Sequence, residues 1–240
     1  MIPKRIHYCW FGGKEVPDSV KKCIESWKIY CSEYEIKRWD ETNFDIHSHP
    51  YMKEAYDAKK WAFVSDLARL MIIYDHGGIY LDTDVELINK LDPVLDNTFF
   101  LATEKDTNER TQNTYVGIAT GLGFGAEKGN KVIKAMLDEY KGIHFVNGTD
   151  MDLTPCPIRN TEAIKQYGYI NENKLQKLEG GTIYPADFFC PEECSSKVKN
   201  YSENTLSIHH YGATWKSRNE KFFYETKKEL RHLLGVLRKK

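Results

Sequence analysis

Apolar and polar positions alternate over "RIHYCW" (Arg5 to Trp10), which predicts a first β-strand, closed by a turn at Gly12 and Gly13. Val20, Cys23, Ile24, Trp27 and Cys31 then recur at helical spacing, with Pro17 and Asp18 marking the start. "YEIKRW" predicts a second strand ending before Asp40, so the chain opens as strand, helix, strand, the beginning of a parallel α/β unit. From Trp61 to Tyr74 a broad apolar stripe (Phe63, Val64, Leu67, Ala68, Leu70, Met71, Tyr74) predicts a helix against a core. Gly77, placed as a left-handed cap, and Gly78 stop it. "GIYLD" follows as a buried strand ending in acid, "VELI" stays extended, "LDPVLD" turns and "TFFLATE" is a further strand. "KDTNERTQNTY" reads as a polar loop, and the glycine-rich "ATGLGFG" as a strand and turn. "KVIKAMLDEY" predicts a helix, residues 142–157 look irregular, and a short helix near residues 162–167 precedes a strand at "GTIYP". "TLSIHHYGATW" is a late strand running into a loop, and residues 219–238 form an amphipathic helix. No linker interrupts the pattern, so residues 1–240 are expected to form one domain.

The 34 Lys plus Arg balance 35 Asp plus Glu, for a formal net charge of −1. Such a chain has no global field for nucleic acid. No apolar run approaches the ~18 residues that a membrane span needs. The first residues lack the apolar stretch of an export signal, so a cytoplasmic protein with its six cysteines as free thiols is expected. "CPEEC" has poor spacing for zinc and no second ligand pair nearby.

The chemistry concentrates at Asp82 and Asp84. Residues two apart in extended chain face the same way. Paired carboxylates at a strand's carboxyl end lie where open α/β sheets bind ligands. Hard oxygen ligands of this kind suit Mg2+ or Mn2+ shared with substrate phosphates. A cation there would stabilise charge on a departing diphosphate, so a sugar could leave without a proton, unlike the leaving group in glycoside hydrolysis. D-x-D alone also describes solvated acids in a turn. Asp66 and Arg69, three apart on the preceding helix, raise its weight, because the Gly-Gly turn folds that helix toward the acids.

The block "AFVSDLARLMIIYDHGGIYLDTDVEL", with "IPKRIHYCWFGG" before it and "LSIHHYGATW" after it, resembles glycosyltransferase family 32. That group of DXD sugar transferases includes capsular and lipopolysaccharide enzymes, yeast mannosyltransferases and, more distantly, clostridial glucosylating toxins. The resemblance implies a GT-A fold: an α/β domain with a mostly parallel central sheet flanked by helices. It implies a retaining enzyme that uses Mn2+ or Mg2+ and moves a hexose from a nucleotide-sugar, UDP-linked, to a glycan or lipid-linked oligosaccharide in surface polysaccharide synthesis. By the same resemblance Asp82 and Asp84 are the DXD acids, with Asp84 the more direct metal ligand, and His209 completes the metal shell, a one-residue shift substituting His210. Ser65, Asp66 and Arg69 match the "SD..R" element, Asp66 for donor-sugar hydroxyls and Arg69 for sugar or phosphate oxygens. Trp10 would stack on the nucleotide base and Trp215 would close over the diphosphate. Tyr80 either lines the same pocket or is simply core.

Two other classes compete: a phosphohydrolase like the haloacid dehalogenases, which also place D-x-D after a strand, and a non-catalytic nucleotide-sugar-binding module. Glu86, where the first would carry Thr or Val, and the intact Asp66 and Arg69 weigh against them. The loop Lys105 to Tyr115 is an expected acceptor-binding lid, with "ATGLGFG" beside the acceptor. The basic C-terminal helix either packs on the domain or makes a peripheral contact with an anionic membrane.

Overall fold

The computed structural model describes residues 1–107, 114–193 and 199–212. In chain order they form β1 (Arg5–Cys9), α1 (Asp18–Tyr30), β2 (Glu35–Trp39), α2 (Pro50–Asp57), α3 (Trp61–His76), β3 (Gly78–Tyr80) and β4 (Val85–Leu87). There follow β5 (Phe99–Thr107), β6 (Thr114–Ile118), β7 (Phe124–Ala126), α4 (Lys131–Asp138), β8 (Val146–Asn147), β9 (Asp150–Met151) and α5 (Cys156–Lys165). The last are β10 (Gln176–Leu178), β11 (Gly181–Tyr184), α6 (Ala186–Phe189) and β12 (Ser207–His209). The central sheet runs β10-β11-β5-β7-β3-β1-β2, with β6 paired to β5. β2, β1, β3, β5 and β11 share one direction, and β7 and β10 oppose it. This is the mostly parallel α/β sheet expected.

Strand alternation sends successive side chains to two cores. Phe99 and Leu101 join Tyr80, Phe124 and the buried side of α3 on one face, while Phe100 and Ala102 join Ile6, Ile79 and Trp27 on the other. Each such fully buried side chain contributes about 2–3 kcal/mol. Helix α3 is buried at Val64, Leu67, Ala68, Leu70, Ile72 and Ile73, and at Asp66 and Arg69 as well. A helix that hides two charges inside an apolar surface has to pair them.

His7 pins the sheet centre. Its Nδ1 accepts from the Trp39 indole N–H at 2.9 Å, so its Nε2 carries the proton and donates to the Gly77 carbonyl at 3.0 Å. Burial lowers the imidazole to about 4, which keeps it neutral in that tautomer.

Several expectations need correction. Gly77 ends α3 at φ 66 and ψ −178, an extended positive-φ geometry that only glycine adopts readily, not a left-handed cap. Of the polar stretch expected as a loop from Lys105 to Tyr115, the two ends are strand: β5 runs to Thr107 and β6 begins at Thr114 as its antiparallel partner, while residues 108–113 lie outside the described residues. Residues 142–157 hold the β8–β9 hairpin and the start of α5, which begins at Cys156 rather than near residue 162. Helix α2 lies in a stretch that showed no element by pattern. Its signals are His49, which accepts from the Tyr51 N–H, and Pro50 at the first position. Cys9, Cys23, Cys31 and Cys156 are free and buried, and Cys190 is buried. Cys194, Trp215 and the helix expected at 219–238 fall outside the described residues. Among the described residues no helix is long and apolar enough to cross a membrane.

Candidate functional site

β3 and β1 are parallel, so Asp82 and Trp10 both leave the sheet at its carboxyl edge. Past β3 the Asp82 N–H donates to the Gly121 carbonyl at 3.0 Å, and a turn closes where the Val85 N–H returns to the Asp82 carbonyl at 3.1 Å. The chain then enters β4, which pairs antiparallel with β12 and sets His209 opposite Val85. α1 braces this small ribbon: the Trp27 indole donates to the Val85 carbonyl at 2.8 Å, and the Ser26 hydroxyl accepts from the Leu87 N–H at 2.9 Å.

That register brings the D-x-D acids to the late histidine. One ligand atom from each of Asp82, Asp84 and His209 lies within 4.8 Å of the others. The His209 Nε2 approaches Asp84 Oδ1 at 3.2 Å, and the Gly212 N–H donates to Asp84 Oδ2 at 2.7 Å. Burial opposes the Asp84 charge, but the imidazole outweighs it and holds the carboxyl well below the usual carboxylate range. Burial likewise opposes a His209 cation, and Asp84 reverses the sign, so the imidazole is raised. Its Nδ1 is buried without a hydrogen-bond partner among the described residues. His210 points away and pairs with Glu86 at 2.8 Å on the exposed side. Two carboxylates and an imidazole this close form a donor set that a divalent cation would fit.

Next to this group lies a buried charge network. The Arg69 side chain is 5% exposed; its Nη2 lies 2.8 Å from Asp66 Oδ1 and 3.4 Å from Asp82 Oδ1. Its Nε donates to the Ser65 carbonyl at 3.1 Å, and its Nη1 reaches the Thr120 hydroxyl at 3.5 Å, which also accepts from the Asn160 amide at 3.1 Å. The Tyr80 ring lies 5.1 Å from the guanidinium carbon, and its hydroxyl donates to Asp82 Oδ1 at 3.1 Å. Tyr80 is therefore both core and a partner of Asp82. Burial raises the Asp66 carboxyl against the pull of Arg69, and burial with the nearby Asp84 charge raises Asp82. The two acids keep Arg69 firmly charged despite its burial.

The structure thus gathers Asp66, Arg69, Tyr80, Asp82, Asp84 and His209. Ser65 enters through its carbonyl. Trp10 sits apart, its indole donating to the Lys14 carbonyl at 2.7 Å. Pattern reading missed Gly121. A Cβ built there would stand 2.2 Å from Asp82 Oδ2 and 3.1 Å from Arg69 Nη1, while its φ is not one that demands glycine. The missing side chain makes room for the carboxylate. Gly121→Ala is expected to push Asp82 off Arg69 and to cost about 1–3 kcal/mol by overpacking, read by urea unfolding. An unchanged unfolding midpoint would mean that the carboxylate has room to move. Glu104 was also missed; it faces His209 electrostatically, and burial pushes its carboxyl up to about 7.

Residues 17–101 match the family described as the glycosyltransferase sugar-binding region containing the DXD motif. An uncharacterised glycosyltransferase of Acanthamoeba polyphaga mimivirus is 33% identical over 215 residues, covering 81% of this chain and 79% of its own length. Inositol phosphoceramide mannosyltransferase 3 of Schizosaccharomyces pombe is 30% identical over 131 residues, covering 51% of this chain and 35% of that protein. The match therefore spans about a third of that mannosyltransferase's length. Among solved structures, the PaToxG glycosyltransferase superposes with a TM-score of 0.50 at 17% identity, covering 69% of each chain.

Proposed function

Because this chain belongs to the family of glycosyltransferases that carry the DXD motif, and has their GT-A α/β fold, we propose that it transfers a hexose from a UDP-linked donor to an acceptor hydroxyl with retention of anomeric configuration. The observation that carries the reading is the convergence of Asp82, Asp84 and His209 from two segments of chain that pair only in the folded protein. These three side chains would hold a divalent cation, Mn2+ or Mg2+. When bound, that cation supplies the positive charge that stabilises a diphosphate leaving group.

The remaining residues do the positioning. Arg69, rigid and permanently charged, offers guanidinium N–H groups to donor oxygens. Asp66 accepts hydrogen bonds from the donor sugar's hydroxyls, and Ser65 fixes the start of that turn of α3. Tyr80 orients Asp82 through its hydroxyl. Trp10 receives the base at the carboxyl edge of the sheet, and Trp215, outside the described residues, closes over the diphosphate. Attack on the same face as the departing phosphate is the favoured route to retention, since Asp66 and Asp82 are both engaged with Arg69. The acceptor is a glycan or lipid-linked oligosaccharide of a surface polysaccharide, reached from the cytoplasmic side.

A screen of nucleotide-sugars with Mn2+, read by nucleotide release with and without acceptor glycans, tests the reading. Acceptor-dependent release of UDP from a UDP-hexose is expected. Release of GDP from GDP-mannose alone would reassign the donor. Binding of nucleotide-sugars without turnover across the acceptor panel would make the chain a binding module.

A further inference from the structure

The β5–β6 hairpin projects from the sheet beside the cation group, and its two faces differ. On one, Thr103 donates to the Tyr184 carbonyl at 3.1 Å and Lys105 pairs with Glu193 at 3.2 Å, tying the hairpin to the chain beneath. Alternation turns Glu104 to the other face. There it stands opposite Gly117 in the antiparallel register, one step from the Asp106–Tyr115 pair. Tyr115 folds back over the glycine: a Cβ at Gly117 would lie 2.0 Å from the phenol oxygen. The phenol lies near the Thr161 side chain of α5, which accepts from the Ile118 N–H at 2.9 Å. The ring is thus held flat along the hairpin while 38% of the residue stays exposed. Glu104 interacts electrostatically with both His209 and Tyr115. No hydrogen bond engages its carboxyl among the described residues.

We propose that this face, with Tyr115 as a stacking platform and Glu104 as the hydrogen-bond acceptor, is the subsite for the acceptor sugar. The inference rests on the transferase reading above and adds a place for the second substrate. A pyranose has an apolar C–H face that suits a fixed aromatic ring, and a rim of hydroxyls that suits a carboxylate. A donor sugar would be met by Asp66, Arg69 and Asp82, which reach the cation group from α3 and the end of β3. Glu104 reaches it from β5, separated from β3 in the sheet by β7. A sugar on Tyr115 would therefore approach the cation group from the opposite flank. Gly117 is required because any side chain there would displace the ring.

The test uses saturation-transfer NMR on the full chain with Mn2+ and UDP or GDP, and methyl glucoside, galactoside and mannoside as probes. Wild type is expected to bind at least one glycoside. Glu104→Gln and Tyr115→Ala are each expected to weaken it about tenfold or more. The Kd for nucleotide with Mn2+ should stay within about twofold of wild type in both. Glycoside binding unchanged in both variants, or absent from a wild type that binds nucleotide, would overturn the subsite alone. Nucleotide affinity lost with Glu104→Gln would move Glu104 to the donor side and overturn it too. A wild type that binds neither nucleotide with Mn2+ would sink the transferase reading and this inference with it.

Discussion

The double variant Asp82→Asn, Asp84→Asn is expected to lose about a thousandfold or more of donor turnover at saturating Mn2+ while keeping a cooperative unfolding transition. Each change is close to isosteric, so packing stays. What goes is charge: an amide is a far weaker ligand for a hard cation than a carboxylate. Removing one preorganised electrostatic contact to a developing anion typically costs about 10²–10³-fold, and here both carboxylate ligands proposed for the cation go, leaving His209 alone. Asp84 should account for more of the loss than Asp82. Asp84 is stabilised as an anion by His209 and the Gly212 N–H, whereas Asp82 shares its charge with Arg69 and Tyr80. Steady-state rates of the two single variants check that order.

Arg69→Met is expected to be the most destabilising conservative change near the site, by about 3–5 kcal/mol at pH 7 in urea unfolding, because it strands the buried Asp66 carboxylate and the partly buried Asp82. Its pH dependence carries a sign. Burial already raises Asp66 and Asp82, and without the guanidinium they rise further above their unfolded values. The native variant then binds more protons than its unfolded chain through the range above about pH 4, so its stability increases as pH falls. The deficit against wild type should shrink between pH 7 and pH 5. A deficit that stays constant would locate the loss in packing rather than in stranded charge.

How far the sequence could be read depended on whether a feature was local. The α3–β3 unit was legible because an apolar stripe ends at two consecutive glycines, and its acids follow a buried strand. Asp66 and Arg69 could be read as one helix face. That Asp82 completes the network, and that Thr120 and Asn160 extend it, depends on β7 and α5 folding back, which no spacing reports. The family resemblance favoured His209, strand alternation said only that one of His209 and His210 faces inward, and pairing β12 with β4 sets His209 against Asp84 and His210 against Glu86. The far end of β5 was hidden for a different reason. Thr103, Lys105 and Thr107 find polar partners across the chain, so that part of the hairpin is polar on both faces and reads as loop. Gly121 carries no local sign either. Its neighbour is a carboxylate some forty residues earlier, and only the approach of Asp82 makes a side chain intolerable there.

The proposed chemistry needs a divalent cation between the end of β3 and β12, the last described strand. Calorimetric titration of Mn2+ into the full chain in the presence of UDP measures this directly. One Mn2+ per chain is expected for wild type, weakened about a hundredfold or more in Asp84→Asn and in His209→Ala, a loss of roughly 3 kcal/mol for each ligand. Equal Mn2+ affinity in wild type and both variants would contradict it.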